Sequence, residues 1–414
     1  MDRIRIVKSP TKLSGEVFLP GSKSISNRVL LINALSRSQI PVEHVSEAED
    51  TQDMIRCLND DGYDIYVGEG AAVLRFVLAY FFVSKKTRHV TASKSLTRRP
   101  IKPLIDVLQQ FGASFTFDQE LNSLPCVITT PSILNINEIE IEAHQSSQFV
   151  SAILLISPYL EHELKIRLPH KMVSASYVNM TIRLMKLFGV EVQCDEHTFQ
   201  IKPSHYKHIS YTVEADWSSA AFIFCIAALA DDVDLFIKGL RKSGLQADEK
   251  IVDYINEWGV RCQWTDSGCH LSRPQLIRPK NITIDFLDHP DLFPALMILC
   301  AKEQVNATFT NVQHLQFKES NRLKILCEFI CNYGSSVNYE TTEEQLDIRA
   351  NNGGFKFSEL DILETHNDHR LAMAYSLLGV NGDVQINNPI VVKKSFPEFW
   401  NVLKTIGFEL MING

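Results

Sequence analysis

The sequence feature that most constrains the fold is a pattern that recurs five times along the chain. Each copy has an apolar helical face, then an aromatic or aliphatic residue, a glycine and a short alternating segment. The glycines are Gly112, Gly189, Gly259, Gly334 and Gly407, and they are separated by 77, 70, 75 and 73 residues. Each has the position of a helix C′ residue, where a left-handed conformation ends the helix. This period is too long for a solenoid unit, so each repeat is expected to be a small α/β module with more than one helix.

A sixth and less regular copy places Gly62 before the segment YDIYV. Only 50 residues separate Gly62 from Gly112, so the module between them is expected to be shortened. The 414 residues suit two domains of about 200 residues each. Six modules in two groups of three would therefore form two α/β domains of comparable size.

Composition excludes several classes of protein. Hydrophobic residues make up 45% and charged residues 22%, which is typical of a soluble globular protein rather than a disordered chain. The chain has 41 Lys and Arg and 49 Asp and Glu, which gives a formal charge of −8. This excess of negative charge argues against nucleic-acid binding. The longest uncharged apolar stretch, 217–230, is too short to cross a membrane. Nine cysteines without a CxxC pair and an N-terminus without an apolar signal region predict a cytoplasmic protein.

The segment PGSKSISNR, residues 20–28, has the chemistry of an anion-binding loop. Lys23 and Arg28 have no acidic residue near them in the sequence, since none occurs between Glu16 and Glu43. A glycine permits close backbone approach, and serine and asparagine side chains offer hydrogen bonds. A solvated surface loop with incidental charges is the alternative interpretation of this segment alone.

Further cationic clusters are RRP at 98–100, KESNR at 318–322, HNDHR at 366–370 and KKSFP at 393–397. Lys318 and Arg322 would be one turn apart on one helical face, although a salt-bridged helix start would look the same. His366 and His369 at i, i+3 raise the question of zinc. No third ligand occurs at a useful spacing and Arg370 would oppose a cation, so we predict no metal site and no cofactor.

Seven segments, PGSKSISNR, RRPI, SSQF, the Ser174–Tyr177 pair, KESNR, NDHR and KKSFP, occur in the order found in the EPSP synthases. The chain resembles this enolpyruvyl transferase family over nearly its whole length. The resemblance implies an α/β fold of two domains, each of three βαβαββ modules in an inside-out barrel arrangement that closes on substrate. It places 1–20 and 214–414 in a discontinuous first domain and 21–213, with its shortened module, in the second.

The resemblance also implies the substrates, shikimate 3-phosphate and phosphoenolpyruvate, and the residues that hold them. Residues for shikimate 3-phosphate would be Ser24, Arg28, Ser146, Ser147, Ser174, Tyr177, Lys318 and Asp291. Residues for phosphoenolpyruvate would be Lys23, Arg75, Arg99, Gln148, Arg322, Arg370 and Lys394. Both substrates are polyanions, and guanidinium groups can contact phosphate and carboxylate through two parallel hydrogen bonds.

In this family the substrate's 5-hydroxyl adds to C2 of the enol phosphate while C3 takes a proton, and phosphate then leaves. Asp291 is assigned as the base on the hydroxyl, and Lys23 and Glu319 as the proton carriers at C3. A carboxylate stabilises the positive character that develops at C2, and cations bind the departing phosphate.

One loop and one further residue depart from the family pattern. Its loop NAGTAMR is replaced by EGAAVLR, residues 69–75, so Glu69, Ala71 and Ala72 stand where Asn, Gly and Thr are usual. An added methyl at Ala71 would narrow the phosphoenolpyruvate pocket, and this predicts weak inhibition by glyphosate. His314 stands where the family usually has Asn.

Two other functions remain open at this point. UDP-N-acetylglucosamine enolpyruvyl transferase shares the architecture, although it carries a GxKN-type start in place of GSKS. A non-catalytic phosphometabolite-binding relative would also account for the altered loop. Whether the chain is an EPSP synthase or the UDP-N-acetylglucosamine enzyme, we expect a cytoplasmic monomer with small-molecule substrates. We expect neither nucleic-acid nor membrane partners.

Overall fold

The computed structural model describes residues 2–8, 12–142, 146–170, 172–195, 197–340, 345–349, 355–356, 358 and 361–413. The chain divides into two compact units. Unit 1 comprises Met1–Ser22 and Glu214–Gly414, and unit 2 comprises Lys23–Val213. The predicted second domain began at residue 21. Gly21 instead pairs with Ala215 and the Ser22 N–H donates to the Glu214 carbonyl, so both stay with unit 1.

Thirteen α-helices run through the described residues. In unit 2 they are α1 (Lys23–Ser36), α2 (Glu49–Asn59), α3 (Ala71–Val83), α4 (Lys94–Thr97), α5 (Lys102–Gln110), α6 (Gln148–Ile156) and α7 (Ala175–Leu187). In unit 1 they are α8 (Trp217–Leu229), α9 (Ile251–Asn256), α10 (Phe293–Lys302), α11 (Arg322–Asn332), α12 (His369–Ser376) and α13 (Phe399–Thr405). Six short 3-10 helices join them at 157–159, 247–250, 290–292, 313–317, 377–379 and 389–394.

The strands of unit 1 form three four-stranded sheets. They are β1 (Arg3–Lys8), β2 (Lys12–Phe18), β13 (Asp232–Lys238), β14 (Arg261–Thr265), β15 (Gly268–Ser272), β16 (Asn281–Asp285), β17 (Asn306–Thr310), β18 (Ser336–Glu340), β19 (Gln345–Arg349), β20 (Ile362–Leu363), β21 (Val384–Asn387) and β22 (Glu409–Asn413). The strand orders are β2-β13-β15-β14, β16-β17-β19-β18 and β20-β21-β1-β22.

The strands of unit 2 form two four-stranded sheets and one pair. They are β3 (Val42–Glu43), β4 (Asp64–Tyr66), β5 (Arg88–Thr91), β6 (Ser114–Phe117), β7 (Cys126–Thr129), β8 (Glu138–Glu140), β9 (Leu164–Arg167), β10 (Val192–Cys194), β11 (Thr198–Ile201) and β12 (Tyr211–Thr212). The orders are β4-β5-β7-β6, β8-β9-β11-β10 and β12-β3.

Every four-stranded sheet is one copy of the same module. Its first two strands are parallel, as in β16 and β17, and each is followed by a helix, whereas the last two strands are antiparallel. In the last sheet of unit 1 the N-terminal strand β1 supplies one of those places. The prediction of repeated βαβαββ modules is therefore confirmed.

The shortened module is real, but the sequence spacing misplaced it. The sheet β4-β5-β7-β6, which begins just after Gly62, is complete. The reduced module is the preceding one, which has the parallel pair β12 and β3 with α1 and α2. In the described chain no antiparallel hairpin follows α2, and the YDIYV segment is the first strand of the next sheet. Gly62 accordingly has no positive φ.

The first helix of each module is the most buried part of its unit. All thirteen residues of α8 are buried, and so are all eight of α12. The sheets alternate instead, as in β13, where exposed and buried side chains follow one another. A helix that is apolar on all sides must lie inside, and an alternating sheet covers a core with one face. Each unit therefore has three central helices, α1, α3 and α6 or α8, α10 and α12, beneath its sheets.

The repeat glycines end helices as predicted, with φ between 82° and 105° at all five positions. After α5, the Gly112 N–H donates to the Gln109 carbonyl and the Ala113 N–H to the Leu108 carbonyl. This pair of bonds is the Schellman motif, and the same pair follows α7, α11 and α13. The described residues include no helix with the length and apolarity needed to span a membrane.

Replacing Gly112 by alanine should destabilise unit 2 more than the same change at Gly189. Both glycines have positive φ, which costs an alanine about 1–2 kcal/mol. A Cβ at Gly112 would lie 2.5 Å from the main-chain oxygen of Ser132, whereas one at Gly189 would meet the flexible Lys207 side chain. We expect Gly112→Ala to lose about 1–3 kcal/mol more unfolding free energy in urea. Equal losses would show that the backbone near Ser132 yields without cost.

Candidate functional site

In unit 2 the predicted anion-binding residues lie at the beginnings of the central helices. Lys23 is the first residue of α1, Arg75 lies in the second turn of α3 and Gln148 begins α6. The N-terminal end of a helix carries unsatisfied N–H groups and a partial positive charge, which favours bound anions. The fold therefore brings together side chains that are distant in the sequence.

Lys23 has a carboxylate partner that local sequence does not reveal. Its Nζ lies 2.8 Å from Oδ2 of Asp50, in the first turn of α2. Both side chains are largely buried, at 20% and 11% exposure. The pair holds the ammonium group at the start of α1, and an incoming anion would compete with Asp50 for it.

Arg28 is buried and held by four hydrogen bonds from its guanidinium group. Nε donates to Thr181 Oγ1 at 2.7 Å, and Nη1 donates to the Ser24 carbonyl at 2.8 Å. Nη2 donates to Ser151 Oγ and to the Tyr177 carbonyl. Burial lowers the pKa of Arg28 to about 10, against a small opposing effect of Tyr177, so the group stays charged at neutral pH. One of its five N–H donors remains for a ligand.

Arg75 is a buried cation whose pKa is strongly lowered. Its Nη1 donates to Ser146 Oγ at 3.0 Å and to Gln148 Oε1, and Nη2 donates to the Pro100 carbonyl. Burial and then the charge of Arg99 hold the pKa of Arg75 well below its ordinary value. An anion in contact with both guanidinium groups would relieve that repulsion, so this pair favours a phosphate or carboxylate.

Ser146, Ser147, Ser174 and Tyr177 are placed around these cations by two helix starts. Ser147 is the N-cap of α6, and Ser174 is the N-cap of α7 with a left-handed φ of 55°. Ser174 is 4% exposed, and its Oγ has no hydrogen-bond partner within the described residues. A buried hydroxyl without a partner is costly unless a ligand satisfies it.

The loop that departs from the family pattern lies against the start of α2. A Cβ at Gly70 would lie 2.9 Å from the Asp50 carboxyl group, so this stretch packs beside the Lys23–Asp50 pair. Ala71 is buried at the start of α3, whereas Glu69 is exposed. The extra methyl group at Ala71 is therefore part of a packed surface.

In unit 1 the centre of the site is a buried ion pair. Arg322, the first residue of α11, donates from Nε and Nη2 to the two Asp368 oxygens at 2.7 and 3.1 Å. Asp368 also accepts from Ser320 Oγ and from the main-chain N–H of Arg370. Burial opposes its ionisation, but the charge and hydrogen bonds of Arg322 hold the pKa of Asp368 below its ordinary value.

Asp291 joins this pair to a second arginine. It lies in the 3-10 helix 290–292 directly before α10, and its Oδ1 lies 3.2 Å from Arg322 Nη1 while its Oδ2 lies 2.9 Å from Arg370 Nη2. Side-chain exposure is 18% for Asp291 against 2% for Arg322, so the carboxylate can be reached while the arginine is enclosed. Two guanidinium groups thus fix the orientation of this carboxylate.

Glu319 and His369 form the adjacent acid–imidazole pair. His369 Nδ1 lies 2.8 Å from Glu319 Oε2, and the imidazole is buried at the start of α12. With Asp368 these residues bring three potential metal ligands within 4.8 Å of one another. Both Asp368 oxygens are engaged by Arg322, and a divalent cation there would face a buried guanidinium group. His366, the other predicted histidine, is exposed and lies outside this cluster.

The local structure of Lys318 differs from the expectation. Lys318 was expected on one helical face with Arg322, but it follows the 3-10 helix 313–317, and α11 begins only at Arg322. The N-cap is Asn321, whose Oδ1 accepts from the Lys324 N–H, and this side chain decides where the helix starts. Lys394 ends the 3-10 helix 389–394, and its Nζ donates to the Asn367 carbonyl at 2.7 Å.

Two buried residues near Asp291 were not among the predicted site residues. His314 is 5% exposed and its Nε2 has no partner in the described chain. Burial and then the charge of Lys318 lower the pKa of His314 to about 3, so the ring is neutral. Asp248 is 4% exposed, and burial and then the Asp291 charge raise its pKa to about 7. Ser218, in the first turn of α8, donates a short hydrogen bond to it.

Similarities to solved structures define the class of fold. An EPSP synthase structure from Acinetobacter baumannii matches with a TM-score of 0.80 and 21% identity, covering all of both chains. An enolpyruvyl transferase from Streptomyces tendae matches with a TM-score of 0.73 and 14% identity, covering 99% of this chain and 98% of that one. The fold is therefore that of the enolpyruvyl transferases.

Sequence comparison then identifies the family. The family model described as EPSP synthase (3-phosphoshikimate 1-carboxyvinyltransferase) matches residues 7–68 and 58–403. The 3-phosphoshikimate 1-carboxyvinyltransferase of Bacteroides fragilis is 30% identical over 410 residues, covering 98% of each chain. That of Methanosphaerula palustris is 30% identical over 416 residues, covering 94% of this chain and 96% of its own. The chain belongs to the EPSP synthase family.

Asp248 should make the stability of the free protein fall with rising pH. Its folded pKa of about 7 lies above the unfolded value of about 4, so the folded state holds a proton that the unfolded state loses. Between about pH 4 and 7, Asp248 should lower the unfolding free energy by up to about 1.4 kcal/mol per pH unit. Asp248→Asn should remove this dependence. The unfolding free energy of the variant minus that of the unchanged protein should therefore increase from about pH 4 to 7 and then stay constant.

Urea unfolding at several pH values measures this difference. Other titrating groups cancel because both proteins contain them. Asp253→Asn, at an exposed position of the same unit, is the matched control and should give a parallel curve. Parallel curves for Asp248→Asn as well would contradict the raised pKa.

Proposed function

We propose that this chain transfers the enolpyruvyl group of phosphoenolpyruvate to the 5-hydroxyl of shikimate 3-phosphate and releases phosphate. The observation that carries the proposal is the Asp291 carboxylate held by Arg322 and Arg370, with the Glu319–His369 pair in the same unit. Enolpyruvyl transfer needs acid–base groups beside cations, because protons move while a phosphate departs. A site that only binds anions would need no reachable carboxylate.

The substrates are anions, and most of the proposed binding groups lie at or near helix starts of each unit. In unit 2 we assign Ser24, Arg28, Ser146, Ser147, Ser174 and Tyr177 to shikimate 3-phosphate, and Lys23, Arg75, Arg99 and Gln148 to phosphoenolpyruvate. In unit 1 we assign Lys318 to shikimate 3-phosphate, and Arg322, Arg370 and Lys394 to phosphoenolpyruvate. The Arg28 donors are mostly engaged within unit 2, so that residue is assigned to orient its neighbours and to offer one N–H.

The proposed reaction has two steps. The substrate's 5-hydroxyl oxygen bonds to C2 of phosphoenolpyruvate, its proton passes to Asp291, and C3 takes a proton from Lys23 or Glu319. The tetrahedral adduct then loses phosphate from C2 and a proton from C3, which restores the double bond. His369 lies beside the Glu319 carboxylate, with 2.8 Å between Nδ1 and Oε2, and the arginines stabilise the charge that collects on the leaving phosphate.

Phosphate release from phosphoenolpyruvate that requires shikimate 3-phosphate tests this function. We expect release with both substrates and none with either alone. Asp291→Asn should lower turnover by about 10²–10³-fold, because a general base contributes in that range. Asp253→Asn is exposed and should retain full activity. Thermal unfolding of both variants checks that loss of activity is not loss of fold.

The same assay separates the alternatives. Release that depends on UDP-N-acetylglucosamine would indicate the related transferase, and binding of both substrates without release would indicate a non-catalytic relative. Turnover of Asp291→Asn equal to that of the unchanged protein would overturn the assignment of the base. The monomeric state, the cytoplasmic location and weak inhibition by glyphosate stay predictions.

His314 should contribute to binding of shikimate 3-phosphate rather than phosphoenolpyruvate. A hydrogen bond to the Asn311 main chain leaves Nε2 of the neutral ring as an acceptor, which suits a substrate hydroxyl. His314→Ala should raise the KM for shikimate 3-phosphate about threefold to tenfold, the effect of one hydrogen bond. The KM for phosphoenolpyruvate should not change, and His314→Asn should restore much of the loss. Equal changes in both KM values would contradict this role.

A further inference from the structure

A groove on unit 2 lies at the opposite ends of the helices that carry the site. It has a volume of about 840 Å³ and is lined where α1, α3 and the 3-10 helix after α6 end. Its basic and aromatic lining includes Arg37, Lys85, Lys86, Tyr80, Tyr159 and Tyr206. None of the described lining residues is Asp or Glu, although acidic residues outnumber basic ones in this chain, 49 to 41. The groove is therefore locally suited to an anion.

Two of these cations occupy positions where glycine is favoured. Arg37 and Lys85 each have a φ of 55° and each follows a central helix in a Schellman motif. Four other helices of the chain end in the same motif with glycine. A side chain in this conformation costs about 1 kcal/mol, and the helix dipole returns only part of that to a cation. Arg37 and Lys85 thus stand in a conformation that costs energy, as does the uncharged Gln304 after α10.

The side chains of Arg37 and Lys85 are available to a ligand, whereas Lys86 is engaged by other residues. Lys86 pairs with Asp61 at 2.9 Å and lies over the Tyr80 ring at 5.6 Å. Arg37 and Lys85 are exposed and form no ion pair within the described chain. Their charges are consequently not neutralised by the protein.

The aromatic wall is held in place by its own contacts. The ring of Tyr159 meets His205 edge-on at 5.4 Å and lies 6.0 Å from Tyr206. The buried Tyr206 hydroxyl donates to the Leu155 carbonyl at 2.8 Å. A planar ring of a ligand could stack against such a wall with little loss of side-chain freedom.

We propose that this groove binds a small aromatic carboxylate, with the carboxylate between Arg37 and Lys85 and the ring against Tyr80 and Tyr159. Guanidinium and ammonium groups bind a carboxylate through charge-assisted hydrogen bonds, and aromatic rings add contact area. The volume lies within the range of small-molecule sites. At 1.5 Å per residue, the length of α1 or α3 places the groove about 20 Å from the helix starts, so this is a separate site.

Calorimetric titration of the full chain with 4-hydroxybenzoate tests the proposal. We expect saturable one-to-one binding that weakens at least about tenfold in the double variant Arg37→Gln/Lys85→Gln, since two charge-assisted contacts are lost. The control Lys102→Gln/Lys186→Gln makes the same charge change at exposed positions of unit 2 and should bind unchanged. Cyclohexanecarboxylate, which has the charge without the aromatic ring, should bind more weakly.

Three results would overturn the proposal. One is no saturable binding up to about 10 mM, which would exclude affinities of practical size. A second is undiminished binding to the Arg37→Gln/Lys85→Gln variant, which would place the ligand elsewhere, such as at the helix starts. The third is equal affinity for cyclohexanecarboxylate, which would show recognition of charge alone. Thermal unfolding of each variant confirms that it is folded.

Discussion

The structure depends on burying most of three helices in the centre of each unit. A buried helix such as α8 is apolar on all sides. The main-chain N–H and C=O groups that still need polar partners are therefore at its two ends. At the start of α8, the N-cap Asp216 accepts from the Ser219 N–H. At other helix starts the polar groups are the proposed ligands themselves. Central burial thus creates a site at the helix starts and leaves the sheets to cover the outside.

Charge is arranged differently in the two units. Arg28 and Arg75 contact hydroxyl, amide and carbonyl oxygens, and neither forms an ion pair within the described residues. A buried cation without a carboxylate partner is costly, and a bound anion offsets that cost. Arg322, in contrast, lies between Asp368 and Asp291. Unit 2 is therefore suited to hold anions, and unit 1 also holds the carboxylates that we propose for proton transfer.

Local rules explain which parts of the fold could be predicted. A C′ glycine acts through its own backbone, so the five glycines marked helix ends and the module repeat correctly. The missing hairpin was assigned to the wrong module, because spacing between glycines does not show on which side of Gly62 residues are absent. The helix that was expected to include Lys318 begins at Arg322 instead, because the Asn321 side chain caps α11.

The sequence by itself determined the module count, the α/β class, the family and the identities of the proposed site residues. These follow from short motifs and from backbone preferences that act over a few residues. Only the tertiary structure decided the ion-pair partners, which are Asp50 for Lys23 and Asp368 and Asp291 for Arg322. It also decided the neutral state of His314. Such partners lie on other helices, and burial and charge depend on distances in space rather than along the chain.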